Sequence, residues 1–131
     1  MIPKFRAWHN ELGRMMLVRT MFFFADRLEE LELNDSVMND NIPVYPDEIK
    51  LMQSTGLKDK NGKEIFEGDI VDYKGRKAVV KWHGSYASFI YEFVDELQKR
   101  KTEWQPLYLS YYKFEVIGNS LENPELLEVT E

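Results

Sequence analysis

Glu64, Glu67, Asp69 and Asp72 form the densest group of carboxylates whose spacing suggests chemistry. Paired carboxylates can act as general acid and base, or hold magnesium. These four fall at turn positions and on the solvent side of a strand pattern. Lys58, Lys60, Lys63 and Lys74 are interleaved with them and can neutralise them. Asp59-Lys60-Asn61-Gly62 has the outward form of a calcium loop. An EF-hand puts oxygen ligands at loop positions 1, 3, 5 and 12, with glycine at 6. Counted from Asp59, position 5 is Lys63, position 12 is Ile70 and the glycine is at 4. A hairpin turn is the better reading. His9 and His83 are the two histidines, each following a tryptophan at the end of an aromatic strand pattern. With Asp69 or Asp72 they would approach a zinc set only if those strand ends met, and such a site takes three or four ligands. Two surface turn histidines are expected instead. There is no G-x-S-x-G, no phosphate-cradling glycine loop and no cysteine nucleophile; Ser85 and Ser88 near His83 are the remaining hydroxyls considered. The residues point to no catalytic group, no bound metal and no cofactor.

Basic residues concentrate at Lys99-Arg100-Lys101 and at Arg76, Lys77 and Lys81. With Tyr86, Tyr91 and Trp104 nearby in sequence, they could bind single-stranded nucleic acid by stacking plus charge, with Lys99, Arg100, Lys101 and Trp104 as the contacts. The chain carries a net charge of −6, so long-range steering opposes such binding. The bland reading, cations at a helix C-terminus and lysines blunting an edge strand, is preferred.

These residues must be positioned mainly by β-strands. Phe5 to Trp8 and Met15 to Val18 flank a turn and read as a hairpin. Thr20 to Ala25 is apolar on both faces and fits either a doubly buried strand or a helix start. Arg27 to Leu33 is ambiguous and is assigned to strand. Residues 34–46 are rich in Asn, Asp and Pro, so they are expected to form a loop and to be the place where two lobes would divide. Alternation resumes over Ile49 to Ser54. From Thr55 to Trp82, short β segments are separated by turns at Asn61-Gly62, Glu67-Gly68 and Lys74-Gly75, whose residues tolerate positive φ. Glu92–Arg100 spaces Phe93, Val94 and Leu97 for one helical face, and Asn123–Leu127 has proline at its first helical position. Leu107 to Tyr112 and Phe114 to Ile117 read as the last strands. The fold class is mainly β: a small barrel-like β domain with one or two short helices, at Glu92–Arg100 and Asn123–Leu127, in a single domain over residues 1–131.

A hydrophobic fraction of 44% supports a core of ordinary size, and the absence of cysteine removes disulfides and thiolate metal sites. The first residues lead into no apolar signal segment, and the longest apolar run, Met21 to Ala25, is far below the ~20 residues of a membrane span. A cytoplasmic location without membrane contact is expected. Aromatics make up 14% of the chain. The Phe22-Phe23-Phe24 triple and the Tyr108, Tyr111, Tyr112 group exceed what a core this small should bury, and exposed aromatics favour association.

Three segments together carry a resemblance. They are Ile2-Pro3-Lys4-Phe5-Arg6-Ala7-Trp8, the central block Met52 to Val71 with its Lys58-Asp59-Lys60-Asn61-Gly62-Lys63 and Glu67-Gly68-Asp69 turns, and Phe114 to Asn119 with Glu122 to Leu127. On these the chain resembles the YopX family of phage and prophage proteins of Gram-positive bacteria. The resemblance implies a mainly β, barrel-like fold and a phage or prophage origin, and it implies no catalytic residue. The expected function is that of an uncharacterised phage accessory protein in the host cytoplasm, acting by protein–protein interaction: a homo-oligomer, with a host protein as a further partner. The alternatives are a small-barrel nucleic-acid-binding module and, more remotely, a metal-dependent enzyme.

Overall fold

A computed structural model describes residues 4–97 and 103–128. The chain divides into two compact units, Met1–Gln53 and Ser54–Glu131.

The first unit is an antiparallel sheet built from β1 (Phe5–His9), β2 (Arg14–Phe24), β3 (Arg27–Asp35), β4 (Asp40–Val44) and the start of β5 (Ile49–Lys58), in the order β4-β3-β2-β1-β5. One face gathers Ala7, Met16, Leu31, Leu33, Val44 and Ile49, all buried, with Val18, Met21, Leu28 and Ile42 packed beside them. Thr20–Phe24 is strand, as one of its two readings had it, but it is not doubly buried. β2 and β3 turn back on each other through Ala25 and Asp26, both at positive φ, with Phe24 opposite Arg27. A two-residue turn with this geometry matches the natural strand twist. β1 accompanies β2 only up to Leu17, and β4 accompanies β3 only from Leu31. Among the described residues, the end of this hairpin is therefore a two-stranded ribbon with no third strand to bury its side chains.

Residues 34–46 are not a loop. Asn34 and Asp35 close β3, a turn follows, and Asp40–Val44 pairs back along β3. The Asn and Asp residues that suggested a loop instead bond locally, Asn34 to Asn41 and Asp35 to the amides of Val37 and Met38. The division between the units falls at Gln53 and Ser54.

The second unit holds the end of β5 paired with β6 (Glu64–Phe66), and a five-stranded antiparallel sheet. That sheet contains β7 (Asp69–Tyr73), β8 (Arg76–His83), β9 (Ser88–Phe93), β10 (Trp104–Pro106) and β11 (Glu115–Asn119), in the order β10-β9-β8-β7-β11. Lys74 and Gly75, both at positive φ, make the two-residue β7–β8 turn that the sequence predicts. Alternating residues of β7 and β8 feed two cores. Ile65, Val71, Ala78, Val80, Tyr91, Leu107 and Phe114 fill one, while Ile70, Val79 and Val94 with Leu97, Leu126 and Leu127 fill the other.

Both sheets are antiparallel and open, so the mainly β class holds and no closed barrel forms among the described residues. Closure would require the outermost strands to pair. Instead β4, with Pro43, and the three-residue β10, ending in Pro106, remain at sheet edges, where a missing N–H is tolerated. The helix expected over Glu92–Arg100 is replaced within the described residues by the end of β9 and one 3-10 turn, Val94–Glu96. Phe93 and Glu92 pair with Ala78 and Val79, so sheet pairing overrides the helical spacing; Lys99 and Arg100 lie outside the described residues. Leu107–Leu109 and Tyr111–Lys113 are 3-10 turns rather than a strand, and strand pairing occurs before them, at Trp104–Pro106. The expected turn at Asn123–Leu127 is present as a 3-10 turn over Pro124–Leu127, but the Asn123 side chain does not cap it; that carboxamide accepts the Asn119 amide instead.

Candidate functional site

Asp59, Asp69, Asp72 and His9, four of the residues that looked chemical, bond to backbone amides. Asp59 is buried, and its carboxylate accepts hydrogen bonds from the amides of Asn61 (2.9 Å), Lys63 (2.8 Å) and, across the unit, Val116 (2.9 Å). Burial alone would raise its pKa; the amide hydrogen bonds, Val116 foremost, and the nearby Lys63 charge outweigh that and hold it below the ordinary value. A carboxylate bound this way is an anchor for a turn. Asp69, also buried, accepts the Phe66 amide at 2.8 Å across the Glu67-Gly68 turn. Asp72 accepts the Gly75 amide at 3.2 Å. No group of three or more His, Cys, Asp or Glu with metal-binding geometry occurs among the described residues.

Neither histidine is the free surface residue expected. His9 is buried and its Nδ1 accepts the Leu12 amide at 3.1 Å, which fixes the β1–β2 turn. His83 is half-buried, with its ring 4.9 Å from both Tyr86 and Trp104, and these two rings are 4.8 Å from each other. The three rings pack on one another. Trp104, proposed as a stacking residue, is thus occupied by intramolecular contacts. Lys99, Arg100 and Lys101 lie outside the described residues. Arg76 is engaged by Asp95 at 3.0 Å and Glu96 at 3.0 Å and lies over the Phe93 ring; the Asp95 hydrogen bond leads in raising its pKa. Lys81 is paired with Glu92 at 3.3 Å.

The aromatic groups divide differently from their spacing in sequence. Phe22, Phe23 and Phe24, on the two-stranded ribbon, are 52%, 63% and 74% exposed. A register irregularity between Phe22 and Phe23 interrupts the ordinary alternation, and all three remain open to solvent. Tyr108 and Tyr112 are likewise exposed on the 3-10 turns, whereas Tyr111 is half-buried against the core of the second unit. The two groups belong to different units. Leu109, exposed beside Tyr108, was not singled out from sequence. The Arg14–Asp35 ion pair, with Asp35 buried, was also missed: its partners are 21 residues apart and no local pattern couples them.

The YopX protein family model matches residues 4–128. The crystal structure of protein EF1440 from Enterococcus faecalis is similar at 30% sequence identity and a TM-score of 0.63, covering 98% of this chain and 99% of that one. The crystal structure of protein yopX from Bacillus subtilis is similar at 21% identity and a TM-score of 0.59, covering 95% and 98%, a likeness of fold. No curated protein matches the chain. No helix among the described residues is long and apolar enough to cross a membrane. With its signature turns built around Asp59 and Asp69 and the family model matched over nearly its full length, this chain belongs to the YopX protein family.

Proposed function

We propose that the protein is a non-enzymatic accessory protein of a phage or prophage, acting in the host cytoplasm through protein–protein contact. Self-association into a homo-oligomer is the primary contact and a host protein a further one. The carrying observation is the exposed Phe22-Phe23-Phe24 triple at the end of the β2–β3 ribbon. Taking about 200 Å² per phenylalanine side chain, it opens on the order of 400 Å² of aromatic surface to water. That is the size of the largest apolar patch on a typical monomer, which is often functional. Phage origin rests on the family resemblance alone. Against the nucleic-acid alternative stand the packed Trp104 ring and the acidic net charge; against a metal-dependent enzyme, the engagement of Asp69 and Asp72 by backbone amides.

The test is molar mass by light scattering over a range of concentrations, for the natural chain and for Phe22→Ser/Phe23→Ser/Phe24→Ser. The natural chain should be oligomeric and the triple variant should dissociate at least in part while keeping its circular dichroism. A natural chain that stays monomeric at the highest concentration and binds no host protein removes the reading.

A further inference from the structure

Asn61 is the one asparagine followed by glycine. Both residues are exposed, a Cβ added at Gly62 would meet nothing within 4 Å, and the Asn61 carboxamide makes no hydrogen bond to the described residues. An unhindered glycine amide nitrogen after asparagine can attack the side-chain carbonyl. Here, however, the turn holds the attacking nitrogen. The Gly62 amide donates to the Asp59 carbonyl at 3.0 Å, and the Asn61 amide to the Asp59 carboxylate at 2.9 Å. The loop is closed again by Asp59 N–H to the Lys63 carbonyl and Lys63 N–H to the Asp59 carboxylate, each 2.8 Å.

We propose that Asn61 is a site of spontaneous deamidation and that the Asp59 clasp sets its rate. The Gly62 nitrogen loses its proton and bonds to Asn61 Cγ; the Cγ–Nδ2 bond breaks and ammonia leaves, giving a five-membered imide. Water then opens the imide at either carbonyl, leaving aspartate or isoaspartate at position 61. While Gly62 N–H is held by the Asp59 carbonyl, the nitrogen is kept from Cγ, so the reaction proceeds through the open turn, a local unfolding event. The isoaspartate product adds a carbon to the main chain inside the loop that Asp59 and Lys63 close. That lengthening displaces the amides Asp59 serves and weakens its hold on Val116, so the modification loosens β11.

Peptide mapping by mass spectrometry, after incubation of the full chain at mildly alkaline pH with and without urea, tests this. In urea, Asn61 should convert before every other asparagine. In the folded chain it should convert roughly tenfold or more slowly, because the turn is open only a small fraction of the time. Asp59→Asn, checked for folding by circular dichroism, should bring the folded rate toward the urea rate, and Gly62→Ala should slow conversion in urea, where the turn geometry no longer matters. Equal rates for the natural chain with and without urea overturn the gate. An Asn61 that stays intact in urea while another asparagine converts overturns the site, and neither result depends on a variant folding.

Discussion

Replacing Asp59 with alanine should cost the second unit about 3–4 kcal/mol at neutral pH. The carboxylate is buried and serves three amides. Hydrogen bonds to a charged group are worth roughly 1.5–3 kcal/mol each, and a buried donor left unpaired carries its own desolvation cost. The Asn61 and Lys63 amides lie in an exposed turn where water replaces much of the loss, so about 1 kcal/mol each is reasonable. The Val116 amide, in a strand beside a core residue, is assigned nearer 2 kcal/mol. Urea unfolding followed by tryptophan fluorescence measures the difference, since Trp82 and Trp104 both lie in this unit. The pH dependence is a stricter check. The folded pKa of Asp59 lies below the unfolded value of about 3.9. Its stabilisation is therefore complete above about pH 4 to 5 and is lost as pH falls through the lower, folded pKa. The gap between natural chain and variant should hold constant from neutral pH down to about pH 4 to 5 and narrow from there through the folded pKa, by the part of the stabilisation that the lowered pKa carries. A penalty under about 0.5 kcal/mol, the range of an ordinary surface substitution, or a gap unchanged in strong acid, would refute the anchoring role.

Arg14→Met leaves the buried Asp35 without its cation. Arg14 is about a third exposed and Asp35 keeps the Val37 and Met38 amides, so the loss should be about 1.5–3 kcal/mol, that of a hydrogen bond to a charged group, and thermal unfolding of the variant reads it. In Gly118→Ala the new Cβ would lie 2.5 Å from Asn123 Oδ1 and 2.9 Å from its Cγ. The Asn123 side chain must swing off the Asn119 amide, at a cost of about 1–3 kcal/mol. Hydrogen exchange at the Asn119 amide should rise in the same variant, and unchanged protection would show that the contact is not needed.

Turn chemistry was the legible part of the fold. Gly62, Gly68 and Gly75 all take positive φ where the sequence called for it, and the strands flanking them follow. The errors have one origin: local pattern was read where long-range pairing decides. Glu92 to Leu97 has helical spacing, but β8 lies opposite Glu92 and Phe93 and claims them as strand. Asn34 to Pro46 has loop composition, but its polar side chains satisfy one another across the β3–β4 hairpin. Leu107 to Tyr112 looks like a strand because aromatics favour sheets, whereas its burial, with Leu107 inside and Tyr108, Leu109 and Tyr112 outside, suits 3-10 turns. Exposure of the phenylalanine triple was legible as an excess over core capacity; the ribbon that causes it was not, because it depends on where β1 and β4 stop.

The same distinction decides where function should be sought. For Asp59, Asp69, Asp72, His9 and His83 the sequence raises a chemical reading, because carboxylates and imidazoles are what active sites use, and prefers turn and surface roles. In the fold four of these five are bonded to a backbone amide within a turn, and the fifth, His83, is wedged between two aromatic rings. Asp59, with three amides on its carboxylate, anchors its turn, and Asp69 and Asp72 each accept one amide of theirs. What the architecture leaves unspent is apolar: Phe22 to Phe24 on the ribbon, and Tyr108, Leu109 and Tyr112 on the 3-10 turns. Exposing large apolar side chains is disfavoured in an isolated soluble chain, where nothing offsets their hydration cost. The phenylalanine triple, on a ribbon that no third strand supports among the described residues, is therefore the observation on which the proposed interaction role rests.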